Sequence, residues 1–190
     1  MTLVLQLLWL ALPLIASGLV HLAVMKLDLL PALRRLPLDG GRTFRGKRLF
    51  GDNKTWRGAV VTIGTTTLAA WALARLSACC WPLPTLVPFA ETHPVWWGLL
   101  LGSGYIVGEL PNSFAKRQLG ISPGAAGQGL AGRVFWVVDQ LDSLAGMLVF
   151  IAPVWRPSPG LFAAIVLLML VAHPVGAWVM VLFGLKDRVG

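Results

Sequence analysis

Apolar residues in this chain gather into five long runs, near Leu3–Met25, Gly58–Leu76, Val95–Leu110, Val134–Val154 and Gly160–Phe183. Segments rich in glycine, proline and charge separate them. The runs approach the span of about 20 residues that a helix needs to cross the hydrocarbon core of a bilayer. Inside lipid the backbone can satisfy its polar groups only as a helix or a closed barrel. Barrel strands would alternate apolar and polar positions with period two, and no run does so. The pattern therefore predicts an all-α integral membrane protein of about five transmembrane helices, forming one domain over residues 1–190. The first run lacks a basic leading segment and is longer than the apolar part of a secretory signal, so it reads as a retained helix.

Composition strengthens this reading. The chain has 190 residues, of which 56% are hydrophobic and 13% charged, and its mean hydropathy is +0.74. A soluble domain of this size could not bury so much apolar side chain.

Charge then orients the helices. Of sixteen Lys and Arg residues, nine fall between Lys26 and Arg57, three within 111–133, and two in the segment after the last run. The alternate connections hold only Arg75 and Arg156. Basic loops stay in the cytoplasm, so the N-terminus is expected outside and the C-terminus inside. Two long cytoplasmic loops, glycine-rich and basic, then become the place to look for chemistry.

The chain has only eight acidic residues. Asp139 and Asp142 fall inside the fourth run, roughly 8 and 12 Å from its start at a rise of 1.5 Å per residue. Their i,i+3 spacing puts both on one face. A carboxylate at the centre of a membrane helix costs about 2.5–3.5 kcal/mol on insertion scales. A divalent cation with oxygen ligands would relieve both that cost and their mutual repulsion. Glu109, at the end of the third run, is expected at similar depth. Glu109, Asp139 and Asp142 are thus a candidate metal site; salt bridges to Lys116 or Arg117 are the plainer alternative.

In loop 36–58 the basic residues alternate with Gly40, Gly41, Gly46, Gly51 and Gly58. Such a loop can cradle phosphates through backbone N–H groups and cationic side chains, or simply anchor anionic lipid headgroups. Gly41 to Lys47 has the outline of a P-loop but fails as one, because Arg48 stands where Ser or Thr would be needed. Loop 111–133 reads equally as a phosphate cradle or a flexible connector. Gly98, Gly102, Gly104 and Gly108 suit close helix packing, with backbone approach to a substrate near Gly108 as the alternative. Trp56, Trp81, Trp96, Trp97, Trp136 and Trp155 suit an interfacial aromatic belt. His173 precedes Pro174 in the last run, where a kink and a core hydrogen bond explain it; His21 and His93 are isolated, and the adjacent Cys79 and Cys80 form no ligand spacing. None of these is given a role.

Taken together, the motifs resemble those of the CDP-archaeol synthase family, membrane cytidylyltransferases related to the phosphatidate cytidylyltransferases. The likeness rests on Leu36-Pro-Leu-Asp39-Gly40-Gly41 and Gly51-Asp52-Asn53-Lys54-Thr55-Trp56-Arg57-Gly58. It continues in Gly108-Glu109-Leu110-Pro111-Asn112-Ser113-Phe114-Ala115-Lys116-Arg117, Gly124 and Asp139-Gln140-Leu141-Asp142. These blocks comprise 29 of the chain's 190 residues. One departure is Glu109, where the family pattern has aspartate.

The resemblance implies that CTP and a lipid phosphate, of archaetidic or phosphatidic acid type, give a CDP-activated lipid and pyrophosphate. It implies Mg²⁺, with Mn²⁺ as a substitute, held by Glu109, Asp139 and Asp142. Lys54, Arg57, Lys116 and Arg117 would hold phosphates. Thr55, Asn112 and Ser113 would hydrogen-bond nucleotide or phosphate, while Asp39, Asp52 and Asn53 would order the first loop or contact substrate. The partners expected are CTP, a lipid phosphate and the bilayer, with no nucleic acid.

Two other readings compete. A CDP-alcohol phosphotransferase needs a continuation after Asp39-Gly40 that this chain lacks. A non-catalytic multi-pass protein, such as an anion transporter, would favour charges at the bilayer midplane and a repeat between halves, and neither is visible.

Overall fold

The computed structural model describes residues 3–79, 86, 87, 89, 91–125, 127–182 and 184. Trp81, Cys80 and the basic residues of the C-terminal segment lie outside them, as does the side chain of His173. Five long helices correspond to the five apolar runs: α1 (Leu3–Lys26), α3 (Trp56–Cys79), α4 (Pro94–Gln118), α5 (Gly129–Ile151) and α6 (Pro159–Leu182). Between α1 and α3 lie a single helical turn, α2 (Pro31–Arg34), and a two-stranded hairpin, β1 (Thr43–Phe44) and β2 (Lys47–Arg48). Four of the long helices are long and apolar enough to cross a membrane by composition alone; α4, with its charged final turns, is the exception.

The helices pack in sequence around the bundle. Helix α3 lies between α1 and α4, α4 lies between α3 and α5, and α6 rests on α5 and lightly on α1. Glycines on α4 set this packing. A Cβ at Gly98 would fall 2.4 Å from Thr67 Cα, and one at Gly102 would fall 2.7 Å from Ile63 Cα, both on α3. On the other side, a Cβ at Gly108 would meet Asp142 O at 2.4 Å, and one at Gly146 would meet Gly104 O at 2.2 Å. Any side chain there would force the helices apart, so the packing reading holds for these glycines. Gly108 is closed off by α5.

Two expectations are corrected here. The third span does not stop at Leu110 but runs through Pro111 to Gln118. A proline forfeits one hydrogen bond to the residue four positions earlier, and packing on both flanks of α4 outweighs that loss. Helix α5 likewise begins at Gly129 rather than Val134. The expected loop 111–133 is therefore mostly helix, and Asn112, Ser113, Lys116 and Arg117 stand on it at fixed pitch. The second correction concerns the aromatic belt. Trp97 is 1% exposed and belongs to the apolar core with Leu101, Leu144, Met147 and Ile151. Its ring meets Trp155 edge to face at 5.6 Å. Trp96 and Trp136 remain exposed.

That apolar core occupies the end of the bundle where α4 starts and α5 finishes. The charged residues occupy the opposite end, where the hairpin docks on the last turns of α4. Phe44 packs on Phe114 at 5.8 Å, Lys47 Nζ donates to Gln118 O at 2.5 Å, and Gln118 Nε2 donates to Arg48 O at 3.3 Å. Both basic loops therefore share one end.

Candidate active site

The first loop is ordered from its base upward. Leu38 N donates to Lys54 O at 2.7 Å and Trp56 N to Leu36 O at 2.9 Å, an antiparallel bridge centred on Pro37 and Thr55. At the tip, Arg45 and Gly46 have φ of 51° and 77°, the positive pair that a two-residue type I′ hairpin turn requires. Asp39, its side chain wholly buried, organises the middle. It accepts from the backbone N–H of Gly41 at 2.9 Å, Phe50 at 3.0 Å and Gly51 at 3.3 Å, and from Arg48 Nη2 at 2.7 Å. Burial alone would raise the Asp39 carboxyl, but the Arg48 hydrogen bond and the three backbone donors outweigh it and hold it at about 2. Those backbone donors point inward onto Asp39, so they are not a phosphate cradle. Asp52 pairs with Arg48 and is 81% exposed, away from the site.

The bridge delivers Asn53, Lys54 and Thr55 to the mouth of a cavity of about 310 Å³ between α1, α3 and α4. Lys54 pairs with Glu109 there. Towards the middle of the bundle the wall turns apolar, with Leu14 and Ile106, and Leu22, Met25 and Met180 line it nearer the loops. The remaining polar lining is Ser17, His21, Thr62 and Tyr105.

On the other flank of α4 lie the two aspartates. The close contact at Gly108 brings Asn112, one turn further on, between them. Asn112 Nδ2 donates to Asp139 Oδ1 and to Asp142 Oδ2, each at 2.6 Å. Lys116, a turn later, reaches Asp139 at 2.5 and 2.6 Å. Asp142 Oδ1 accepts the Ser143 backbone N–H at 2.6 Å. Asn112 Oδ1 and Ser143 Oγ are buried without a hydrogen-bond partner.

The structure thus brings Lys54, Asn53, Thr55 and Glu109 to the cavity, and Asn112, Lys116, Asp139 and Asp142 to one cluster. Among the described residues no three His, Cys, Asp or Glu side chains converge as a metal-binding group; Asp142 still lies within electrostatic reach of Glu109. The extra methylene of Glu109 ends in the Lys54 ion pair. Arg57 is turned elsewhere, donating to Asp28 Oδ1 at 2.9 Å and Leu29 O at 3.4 Å. Ser113 is buried. Arg117 is 9% exposed, and its Nε and Nη1 have no partner; its Cδ lies beneath Gly51.

Sequence reasoning passed over two residues of this site. Tyr105 lies close to Glu109, Asp142 and Ser143; its signal was the i,i+4 spacing to Glu109. His21 lines the cavity, and its signal was the i,i+4 spacing to Ser17, which marks a polar stripe on an otherwise apolar helix. His93, by contrast, caps α4 by accepting from Val95 N at 3.3 Å.

A helical bundle with an apolar core at one end and a charged cluster beside a half-apolar cavity at the other defines a multi-span membrane enzyme for anionic substrates. Comparison with known families is specific: residues 1–189 match the family described as CarS-like, CDP-archaeol synthase. The chain belongs to the CDP-archaeol synthase family, and the expectation of a CTP-dependent cytidylyltransferase stands with that membership. It is 34% identical over 154 residues to the CDP-archaeol synthase of Methanosphaerula palustris, covering 80% of each chain. With that of Pyrococcus furiosus it shares 34% identity over 145 residues, 75% of this chain and 74% of the other. A solved structure of an intramembrane enzyme for archaeal membrane lipids biosynthesis has the same fold, with TM-score 0.59 and 23% identity over 88% of this chain and 89% of that one.

Proposed function

We propose that this protein transfers the cytidylyl group of CTP to an archaeal-type lipid phosphate at the cytoplasmic face of the cell membrane, giving a CDP-activated lipid and pyrophosphate. The observation that carries this reading is the cavity itself. It is polar at the loop end, where Lys54 pairs with Glu109, and apolar towards the bundle interior, which matches a molecule with a polar phosphate head and hydrocarbon chains. Among the described residues, twelve of fourteen Lys and Arg lie on the side of the loops, which supports a cytoplasmic site.

In the reaction an oxygen of the lipid phosphate attacks the α-phosphorus of CTP, and the bond to the pyrophosphate leaving group breaks. Both reactants are anions, so positioning and charge neutralisation are the main tasks for the protein. Lys54 at the cavity mouth faces the lipid phosphate. Lys116 and the unpaired Arg117 guanidinium face the nucleotide phosphates. A buried cation without a partner is costly, and a phosphate oxygen satisfies it with charge-assisted hydrogen bonds.

The side chains present also fit Mg²⁺, or Mn²⁺ in its place. Two aspartate oxygens lie within 2.6 Å of one nitrogen, next to the orphaned Asn112 Oδ1. An all-oxygen donor set is what a hard cation takes. Asp139, Asp142 and Asn112 would hold the ion, with Glu109 on the cavity side; the ion would supply charge neutralisation of the phosphates. Thr55, Asn53 and Ser113 remain candidates for substrate hydrogen bonds, and Asp39 orders the loop that carries Lys54.

Purified protein in lipid nanodiscs, given labelled CTP, Mg²⁺ and matched diether and diacyl lipid phosphates, tests this. The expected result is a CDP-diether lipid with one pyrophosphate per product. Absence of product from every lipid overturns the reading, and product from diacyl lipid alone overturns its archaeal substrate class.

A further inference from the structure

The cavity holds a residue to which nothing above has given a task. His21 sits on α1 about 7.5 Å before its end at Lys26, at 1.5 Å per residue, and so deeper in the bundle than Lys54. An imidazole inside a membrane helix is costly unless it is hydrogen-bonded. Here one nitrogen is satisfied: His21 Nδ1 lies 3.3 Å from Thr62 Oγ1 on α3. The neighbouring Ser17 Oγ donates to Thr62 O at 3.3 Å, so α1 and α3 are stitched at this level by a short polar track. Across the gap, Gly58 leaves the ring room, since a Cβ there would stand 3.4 Å from His21 Cε1. An imidazole has two nitrogens with distinct roles, and Nε2 makes no hydrogen bond among the described residues. The ring lines the cavity with that nitrogen left for an occupant.

The cavity wall decides which occupant. It draws residues from α1, the first loop, α3, α4 and α6 but none from α5, which carries Asp139 and Asp142. Leu14, two turns before His21 on α1, and Ile106, one turn before Glu109 on α4, carry the apolar wall away from the charged mouth. A nucleotide has no use for such a wall, whereas the glycerol phosphate of a lipid sits where head and chains meet.

We propose that His21, oriented by Thr62, contacts the substrate and donates a hydrogen bond to the glycerol phosphate headgroup of the lipid. It takes no part in binding CTP. The inference rests on the cytidylyltransferase reading above and adds a residue to it. Lys54 and His21 then grip the headgroup from the mouth and from the depth of the cavity, leaving the α5 side of Glu109 to the nucleotide.

Full-length His21→Ala and His21→Gln proteins in nanodiscs, assayed with each substrate varied in turn, give the test. His21→Ala is expected to raise KM for the lipid phosphate about tenfold or more, the scale of a lost hydrogen bond to a charged group. KM for CTP and the melting temperature should stay within error of wild type. His21→Gln keeps an N–H donor and should recover most of the loss. Thr62→Val, which removes the orienting hydroxyl but keeps the shape, should raise the same KM by a smaller factor, and carries the test if His21→Ala does not fold. An unchanged lipid KM, or an equal rise in KM for CTP, overturns the inference while wild-type turnover leaves the functional reading intact. Absence of wild-type turnover overturns both.

Discussion

Asn112 touches both aspartates from one nitrogen, which makes it the hinge of the charge arrangement. Removing either carboxylate leaves the Lys116 ammonium or the amide short of a partner and removes a ligand for the proposed ion. Asp139→Asn is therefore expected to lower kcat at least a hundredfold while the protein still elutes as a folded species. Initial rates and size-exclusion profiles check this, and near-normal turnover would remove Asp139 from the chemistry.

Asp39 makes a different prediction, about order rather than turnover. Its carboxyl is held at about 2 in the folded loop, below the ordinary value near 4. The charged form is thus favoured by folding, so its contribution is complete above about pH 4 and is lost as pH falls through about 2. A depression of that size corresponds to about 2 kcal/mol. Asp39→Asn should lose it at neutral pH, seen as faster proteolytic cleavage between residues 40 and 51. The motif signalled an acid of interest here, but not that its partners are backbone N–H groups twelve residues along the chain, which only the folded loop brings back.

At the scale of the element, α4 explains most of what the sequence concealed. Its first four turns carry no charge and are easily read. Pro111 and the charges after it suggested a boundary, because local propensity argues against continuing a helix there. Tertiary packing settles the matter: Gly98 and Gly102 are wedged on α3, Gly104 and Gly108 on α5, and the helix continues with its polar turns held in register. The small-residue pattern made the packing legible, yet the neighbours against which each glycine closes depend on the order of helices in space. Gly108→Ala puts a methyl 2.4 Å from the Asp142 carbonyl and should cost about 1–3 kcal/mol, the usual penalty for overpacking. A drop in melting temperature of several degrees, together with lost activity as Asn112 moves off the aspartates, is the expected outcome. Tolerance of alanine there would mean that α4 and α5 sit further apart.

For the whole molecule, hydrophobic runs and positive charge were enough to lay out a five-helix membrane bundle with its charged residues gathered at the end of the basic loops. The division of the acids into two groups, Glu109 with Lys54 and the aspartates with Asn112 and Lys116, was not. Depth along a helix follows from counting residues, but the flank a side chain faces follows from which helix lies beside it. Orientation across the membrane is open to direct test. In a background lacking Cys79 and Cys80, a cysteine replacing the exposed Ser122 should react with an impermeant maleimide only from the cytoplasmic side. One replacing the exposed Ser158 should react only from outside, and the reverse pattern would invert the topology.

Two of the ion pairs at this end, Lys54 with Glu109 and Lys116 with Asp139, carry a consequence for the resting protein. Glu109 and Asp139 already have counterions supplied by their own chain, and Asp142 has hydrogen-bond donors in Asn112 and Ser143, so the bundle is expected to stay assembled without divalent cations. Chelation should halt catalysis and leave the thermal unfolding curve where it was. Under the proposed mechanism, starting a catalytic cycle would be an exchange of counterions, in which Lys54 and Lys116 let go of carboxylates and take hold of phosphates.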